Sequence, residues 1–192
     1  MKQKVLLASN NAHKIKEIRA ILGDFFDIVS LREAGVESDP EETGKTFEEN
    51  ARIKAVAGMK ASGMPCIADD SGLEVLSLDC RPGVMSARYS GSHGDDAANN
   101  EKLLAELADK PDRSARYVCV ICMAFPDGRE LEARGECYGE ILKEKRGNGG
   151  FGYDPLFYFP QFGKTFAEIS AEEKNEVSHR NAALKAFEKL WE

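Results

Sequence analysis

The sequence has no uninterrupted apolar run of the roughly 18 residues that a membrane-spanning helix requires, so no membrane partner is expected. The opening stretch Met1-Lys2-Gln3-Lys4-Val5-Leu6-Leu7-Ala8 is too short in apolar residues for a signal peptide and reads as a first strand. Basic charge is in deficit: 26 Lys and Arg face 33 Asp and Glu, for a net charge of −7. That balance excludes non-specific nucleic-acid binding and leaves anion recognition to local basic clusters. Cysteine is sparse, with five in 192 residues and no disulfide-scaffold spacing, which points to a reducing, cytoplasmic location. Cys119 and Cys122 form a CxxC match inside Ala115–Phe125, which reads as a long strand. Residues three apart on a strand point to opposite faces, so the pair reads as core and not as a shared metal site. Repeats, low-complexity tracts and linkers are also missing. The chain reads as a single domain over 1–192, with 42% apolar residues to build its core.

Nucleotide-loop signatures fail as well. Gly-Lys-Thr occurs at 44–46 and 163–165, but the glycine needed five positions before each is Asp39 or Tyr158. Gly147-Asn148-Gly149-Gly150-Phe151-Gly152 has GxGxxG spacing. It follows a charged Lys143–Arg146 run instead of a strand, and Pro155 and Pro160 interrupt what comes after. A Rossmann unit is thereby rejected.

What is present alternates between strand-like and helix-like stretches, the pattern of an α/β fold. A strand near 2–8 leads to a helix near 11–22, with Ile15, Ile18 and Leu22 on one face. Thr46 and Glu49 have capping-box spacing for a second helix, which Gly63 stops. Strands near 65–69 and 73–78 are expected to flank an acidic turn. Asp95 caps a helix near 95–108. A strand at 115–125, the turn Pro126-Asp127-Gly128 and a strand near 129–137 form a hairpin, so the sheet is expected to be mixed. Ser170 and Glu173 open a last helix over 171–191.

The tract Cys66-Ile67-Ala68-Asp69-Asp70-Ser71-Gly72 carries the strongest chemical signal. Two adjacent carboxylates at the end of an apolar run are costly to bury unless a cation accompanies them. Hard cations such as Mg²⁺ sit between one or two carboxylates and a substrate phosphate. Ser9-Asn10-Asn11-Ala12-His13-Lys14 joins the first strand to the first helix. A helix N-terminus attracts anions, and Lys14 in the first turn is adverse to the helix dipole unless an anion lies beside it. The same residues are equally those of a capped helix with a solvated lysine. Phe151 and Tyr153 offer faces for a flat base to stack on, or else anchor a turn in the core. Glu41, Glu42, Glu48 and Glu49 surround the start of the second helix, and sequence alone does not select which of them completes a metal site. Asn50 and Lys54 share a helix face. Lys174, His179 and Arg180 cluster near the end; a guanidinium, a donor-only group, would donate to a purine's 6-oxo oxygen and select against a 6-amino group.

These tracts, with Glu41-Glu42-Thr43-Gly44, Thr46–Ala51, Pro82–Gly91, Gly149–Pro155 and Ser178-His179-Arg180, resemble the inosine triphosphate pyrophosphatase family in order and over nearly the whole chain. The resemblance implies an elongated mixed β-sheet flanked by helices, with two lobes around a central cleft, and a homodimer. It implies Mg²⁺-dependent hydrolysis of dITP, ITP and XTP to the monophosphate and pyrophosphate. It assigns Ser9, Asn10, Asn11, Ala12, His13 and Lys14 to the triphosphate, Asp70 to catalysis and, with Glu41, to the metal, and Ser71 to substrate. Phe151, Gly152, Tyr153 and Asp154 would line the base and sugar pocket, and Lys174, His179 and Arg180 would read the purine edge.

Overall fold

The structure, a computed structural model, describes residues 2–191, with the side chain of His13 outside that description. In chain order the elements are β1 (Gln3–Leu7), α1 (Ala12–Leu22), β2 (Phe26–Ser30), α2 (Leu31–Ala34), α3 (Phe47–Ser62), β3 (Cys66–Val75), β4 (Arg81–Pro82) and α4 (Asp96–Glu106). Then follow β5 (Ser114–Ala124), β6 (Glu130–Ile141), β7 (Phe157–Phe159), β8 (Lys164–Thr165), α5 (Ala171–Val177) and α6 (His179–Trp191). Seven strands run in the order β2-β1-β3-β5-β6-β7-β8, and β4 pairs with β3. β1 is parallel to β2 and β3, whereas β7 is antiparallel to β6 and β8. The expected mixed α/β sheet is therefore present.

The chain folds into two compact units. One comprises Met1–Asp70, Cys119–Gly135 and Arg180–Glu192; the other comprises Ser71–Val118 and Glu136–His179. The first has a core of Val5, Leu7 and Ile67 from the sheet, Ile18 and Leu22 from α1, and Leu184 and Phe187 from α6. Ile18 and Leu22 follow the i, i+4 spacing that marks one buried helix face. The second packs Leu73, Val75 and Tyr117 with Leu103 and Leu107 and the rings of Phe157 and Phe166.

Local chemistry sets the helix ends. The Thr46 hydroxyl accepts from the Glu49 N–H and the Glu49 carboxylate returns to the Thr46 N–H, so α3 starts on a complete capping box. It stops at Gly63, whose φ of 69° is the left-handed conformation that glycine adopts without steric cost. Ser170 and Glu173 open α5 in the same way, and the Asp95 carboxylate caps α4 through the Ala98 N–H.

Two sequence expectations are corrected. Asp69-Asp70-Ser71-Gly72 is not a turn: β3 passes through it unbroken from Cys66 to Val75. Ser-Gly is a turn signal only while nothing else holds the backbone, and here pairing with β1 before it and with β4 after it keeps the strand extended. The helix expected over 171–191 is two helices, because Ser178 is extended at φ −72° and ψ 155°. The break separates Lys174 on α5 from His179 and Arg180 on α6.

Candidate active site

Successive strand residues face opposite sides, so Asp69 and Asp70 on β3 meet different partners. Asp69 Oδ2 lies 2.8 Å from Lys14 Nζ and 3.5 Å from Arg180 Nη2. Arg180 in turn donates to Glu17 Oε2 at 2.6 Å. Burial alone would raise the Asp69 pKa, but Lys14, Arg180 and Lys54 outweigh it and hold the carboxyl well below its ordinary value. Asp69 is therefore a buried carboxylate whose ionised form is favoured by the cations around it.

Asp70 behaves differently. Its Oδ1 lies 2.9 Å from Lys54 Nζ, and the same ammonium is 2.9 Å from Glu42 Oε1. Burial pushes the Asp70 pKa up, and the attraction of Lys54 does not cancel that shift. Lys54 is disfavoured as a cation by burial, yet the Asp70 and Asp69 carboxylates raise its pKa above that of an ordinary lysine. Lys54 comes from two turns inside α3, and Asn50 on the same face accepts the Gly44 N–H through Oδ1 at 2.8 Å. That bond ties the segment carrying Glu42 to the helix. A β-carbon on Gly44 would stand 2.5 Å from the same Asn50 oxygen, so the approach requires glycine.

Glu41, the metal ligand assigned by resemblance, is exposed, while its neighbour Glu42 carries the ion pair. The described residues hold no group of three or more His, Cys, Asp or Glu arranged as a metal cage. A hard cation such as Mg²⁺ takes one or two carboxylates and completes its shell with water and substrate oxygens. The two carboxylates of Asp70 and Glu42 converge on one point of positive charge, and this donor set fits such an ion.

At the β1–α1 junction Ser9 Oγ accepts the Asn11 N–H at 3.1 Å, and Asn11 Oδ1 accepts the Lys14 N–H at 3.2 Å. Asn11 is thus the N-cap of α1. Ser9 and Lys14 are half-buried, whereas Asn10, Asn11 and Ala12 are exposed at the helix end.

The second unit organises a separate polar cluster around Asp154, only 1% exposed. Its Oδ2 accepts from the Phe151 N–H at 2.9 Å and from Lys174 Nζ at 2.5 Å, and its Oδ1 from the Tyr117 hydroxyl at 3.3 Å. Lys174 Nζ also stands 4.4 Å from the centre of the Phe151 ring. The His179 ring stacks on Tyr117 with centres 4.9 Å apart. Gly150 has φ +71°, and a β-carbon there would come within 2.2 Å of Asp154 Oδ2. Gly152 is held at both backbone groups: its N–H donates to Asp96 at 2.7 Å, and its carbonyl accepts from Asn100 at 2.8 Å. The Tyr153 hydroxyl donates to the Ser86 carbonyl at 2.8 Å. Tyr153 anchors this loop in the core, while the Phe151 ring is 49% exposed.

Ser71 follows Asp70 on β3 and is half-buried. Cys119 and Cys122 are both buried, and burial pushes each thiol up to about 12, as expected of core residues. Sequence reasoning missed the pairing of Glu42 and the part of Tyr117. A weak signal for Glu42 was its adjacency to Glu41; Tyr117 lay hidden in a hydrophobic strand.

The fold and these two clusters define a class. The Ham1 family profile matches residues 5–190, and the chain belongs to that family. Among its relatives are the dITP/XTP pyrophosphatase of Desulfotalea psychrophila, 56% identical over 94% of this chain and 81% of the relative, and that of Clostridium perfringens, 52% identical over 95% and 94%. The Ham1 protein of Staphylococcus aureus superposes with a TM-score of 0.92 at 44% identity, covering 98% of both chains. A HAM1 protein from Coxiella burnetii gives 0.92 at 42% identity and the same coverage.

Proposed function

We propose that this chain is a Mg²⁺-dependent nucleoside triphosphate pyrophosphatase that converts dITP, ITP and XTP to the nucleoside monophosphate and pyrophosphate. The observation that carries the reading is the convergence of Asp70 and Glu42 on one cationic point, in a chain 56% identical to a dITP/XTP pyrophosphatase. Asp70, with Glu41 or Glu42, holds the metal. Bound there, Mg²⁺ supplies charge neutralisation at phosphate oxygens and lowers the pKa of a water. Asp70 accepts the proton of the attacking water as the bond between the α and β phosphates breaks and pyrophosphate leaves. Its raised pKa suits a proton acceptor better than that of Asp69, whose three cations hold its own pKa down.

Ser9, Asn10, Asn11, Ala12, His13 and Lys14 cradle the triphosphate, with Ser71 as a further contact. Phe151, Gly152, Tyr153 and Asp154 take the base and sugar, with Lys174 and His179 at the base edge. Arg180 keeps its assignment to the 6-oxo group, its guanidinium held by Glu17 and Asp69. A donor-only group there favours hypoxanthine and xanthine over adenine, because a 6-amino group leaves buried donors unpaired. Residues 1–192 act as a single pyrophosphatase domain, working as a homodimer as the resemblance implies. The five free cysteines agree with a cytoplasmic location, and no described helix is long and apolar enough to cross a membrane.

Phosphate release from dITP, measured with and without added inorganic pyrophosphatase, tests the reading. Signal only with the coupling enzyme, and its loss in a folded Asp70→Asn variant, is the expected result. Near-normal turnover by that variant would remove Asp70 from the chemistry.

A further inference from the structure

Lys54 stands between the two carboxylates to which the functional reading assigns the metal. Its ammonium is 2.9 Å from Asp70 Oδ1 and 2.9 Å from Glu42 Oε1, with the three side chains only 15%, 11% and 27% exposed. The group is a compact point charge on a flexible four-carbon stem. One internal cation is therefore already paired with both carboxylates that the proposed metal site would use.

An ammonium and a divalent ion cannot share these oxygens without strong repulsion. A divalent ion on the two oxygens that Lys54 now holds, Asp70 Oδ1 and Glu42 Oε1, would stand against the ammonium in its present position. Metal entry requires Lys54 to leave, and a buried lysine that leaves its carboxylates needs another anion. A nucleoside triphosphate provides one.

We propose that Lys54 is a displaceable internal counter-ion that keeps free divalent metal out of the nucleotide-free enzyme and admits it together with a triphosphate, to whose phosphates the ammonium transfers. The proposal rests on the pyrophosphatase reading above and adds an order of binding to it. Metal and triphosphate then raise each other's affinity by the same factor, as linkage demands.

The test is Mn²⁺ binding, followed by electron paramagnetic resonance or calorimetry, without turnover. The nucleotide-free wild type is expected to bind Mn²⁺ weakly and to gain at least tenfold in affinity with a non-hydrolysable α,β-methylene dITP analogue, corrected for Mn²⁺ bound by the analogue itself. This comparison needs no variant. Lys54→Met is expected to bind Mn²⁺ at least tenfold tighter than wild type without nucleotide, while Lys54→Arg, which keeps the charge, stays weak. Tight Mn²⁺ binding by the nucleotide-free wild type overturns the proposal. So do equal gains in the Met and Arg variants, which would mark a loosened site and not a lost charge. A wild type that releases no pyrophosphate from dITP would instead overturn the functional reading, and the Mn²⁺ measurements tell the two failures apart.

Discussion

Replacing Lys174 with Met probes the base-side cluster through its energetics. The lysine side chain is 14% exposed and that of Asp154 only 2%, so their ion pair lies out of solvent. Removing one partner from a buried pair costs about 3–5 kcal/mol, because the other charge is left uncompensated. Asp154 retains two donors, the Phe151 N–H and the Tyr117 hydroxyl, which places the loss at the lower end, about 3 kcal/mol. For a chain of this size about 2–4 °C of melting temperature accompany each kcal/mol, so the variant should melt about 6–12 °C below wild type. Asp154→Asn in the same background should recover part of that loss, since the uncompensated charge is then gone. Urea and thermal denaturation of the two single variants and the double variant complete the cycle. Steady-state kinetics should show KM for dITP raised about tenfold with kcat less affected, as expected for a binding contact. A loss below about 1 kcal/mol would put this pair among solvent-screened surface pairs and refute the picture of a buried anion clamped by Lys174.

Two further outcomes follow from geometry. Gly150→Ala should cost about 1–2 kcal/mol of left-handed strain, displace Asp154 by direct overlap and raise KM for dITP. Gly128→Ala, at φ +88° with open space around it, should carry only the strain, and kinetics on both variants separate the two effects. Glu33 is held at about 2, below its ordinary 4.5, by Arg19 and then by the Ser30 N–H and hydroxyl. Its contribution to stability is complete above pH 4.5 and is lost as pH falls through about 2. Glu33→Gln should therefore lower the urea midpoint at neutral pH, with a gap that closes on acidification; a gap independent of pH would deny the shift.

Legibility in the sequence tracked how local the physics was. The caps at Thr46, Asp95 and Ser170 and the stop at Gly63 were readable because each is settled within a few residues. The hairpin of β5 and β6 was readable from alternation and a Pro-Asp-Gly turn, and the acidic tract from the cost of burying charge. Long-range partners reversed local signals elsewhere. Lys14, Arg180 and Lys54 come from 55, 111 and 16 positions away in the chain to hold Asp69 and Asp70, and pairing with β1 and β4 keeps β3 a strand where Ser-Gly suggests a turn. Ser178 breaks the last helix without a proline or glycine, so nothing in composition marked it. Glu42 rather than Glu41 faces Lys54 because Asn50 fixes the intervening segment through Gly44, a contact set by tertiary packing. Tyr117 reads as a core strand residue, and only the fold sets its hydroxyl on Asp154.

The site also distinguishes two carboxylates that are neighbours in sequence. Asp69, anchored by Lys14 and Arg180, acts as a fixed structural anion, while Asp70 shares a cation that can be exchanged. The central claim is that this second carboxylate serves cleavage between the α and β phosphates. Phosphorus NMR of dITP incubated with Mg²⁺ and either the wild-type protein or a folded Asp70→Asn variant tests it: dIMP and pyrophosphate in equal amounts from the wild type and unreacted dITP from the variant are expected, whereas dIDP with orthophosphate from the wild type, or equal product from the variant, would contradict it.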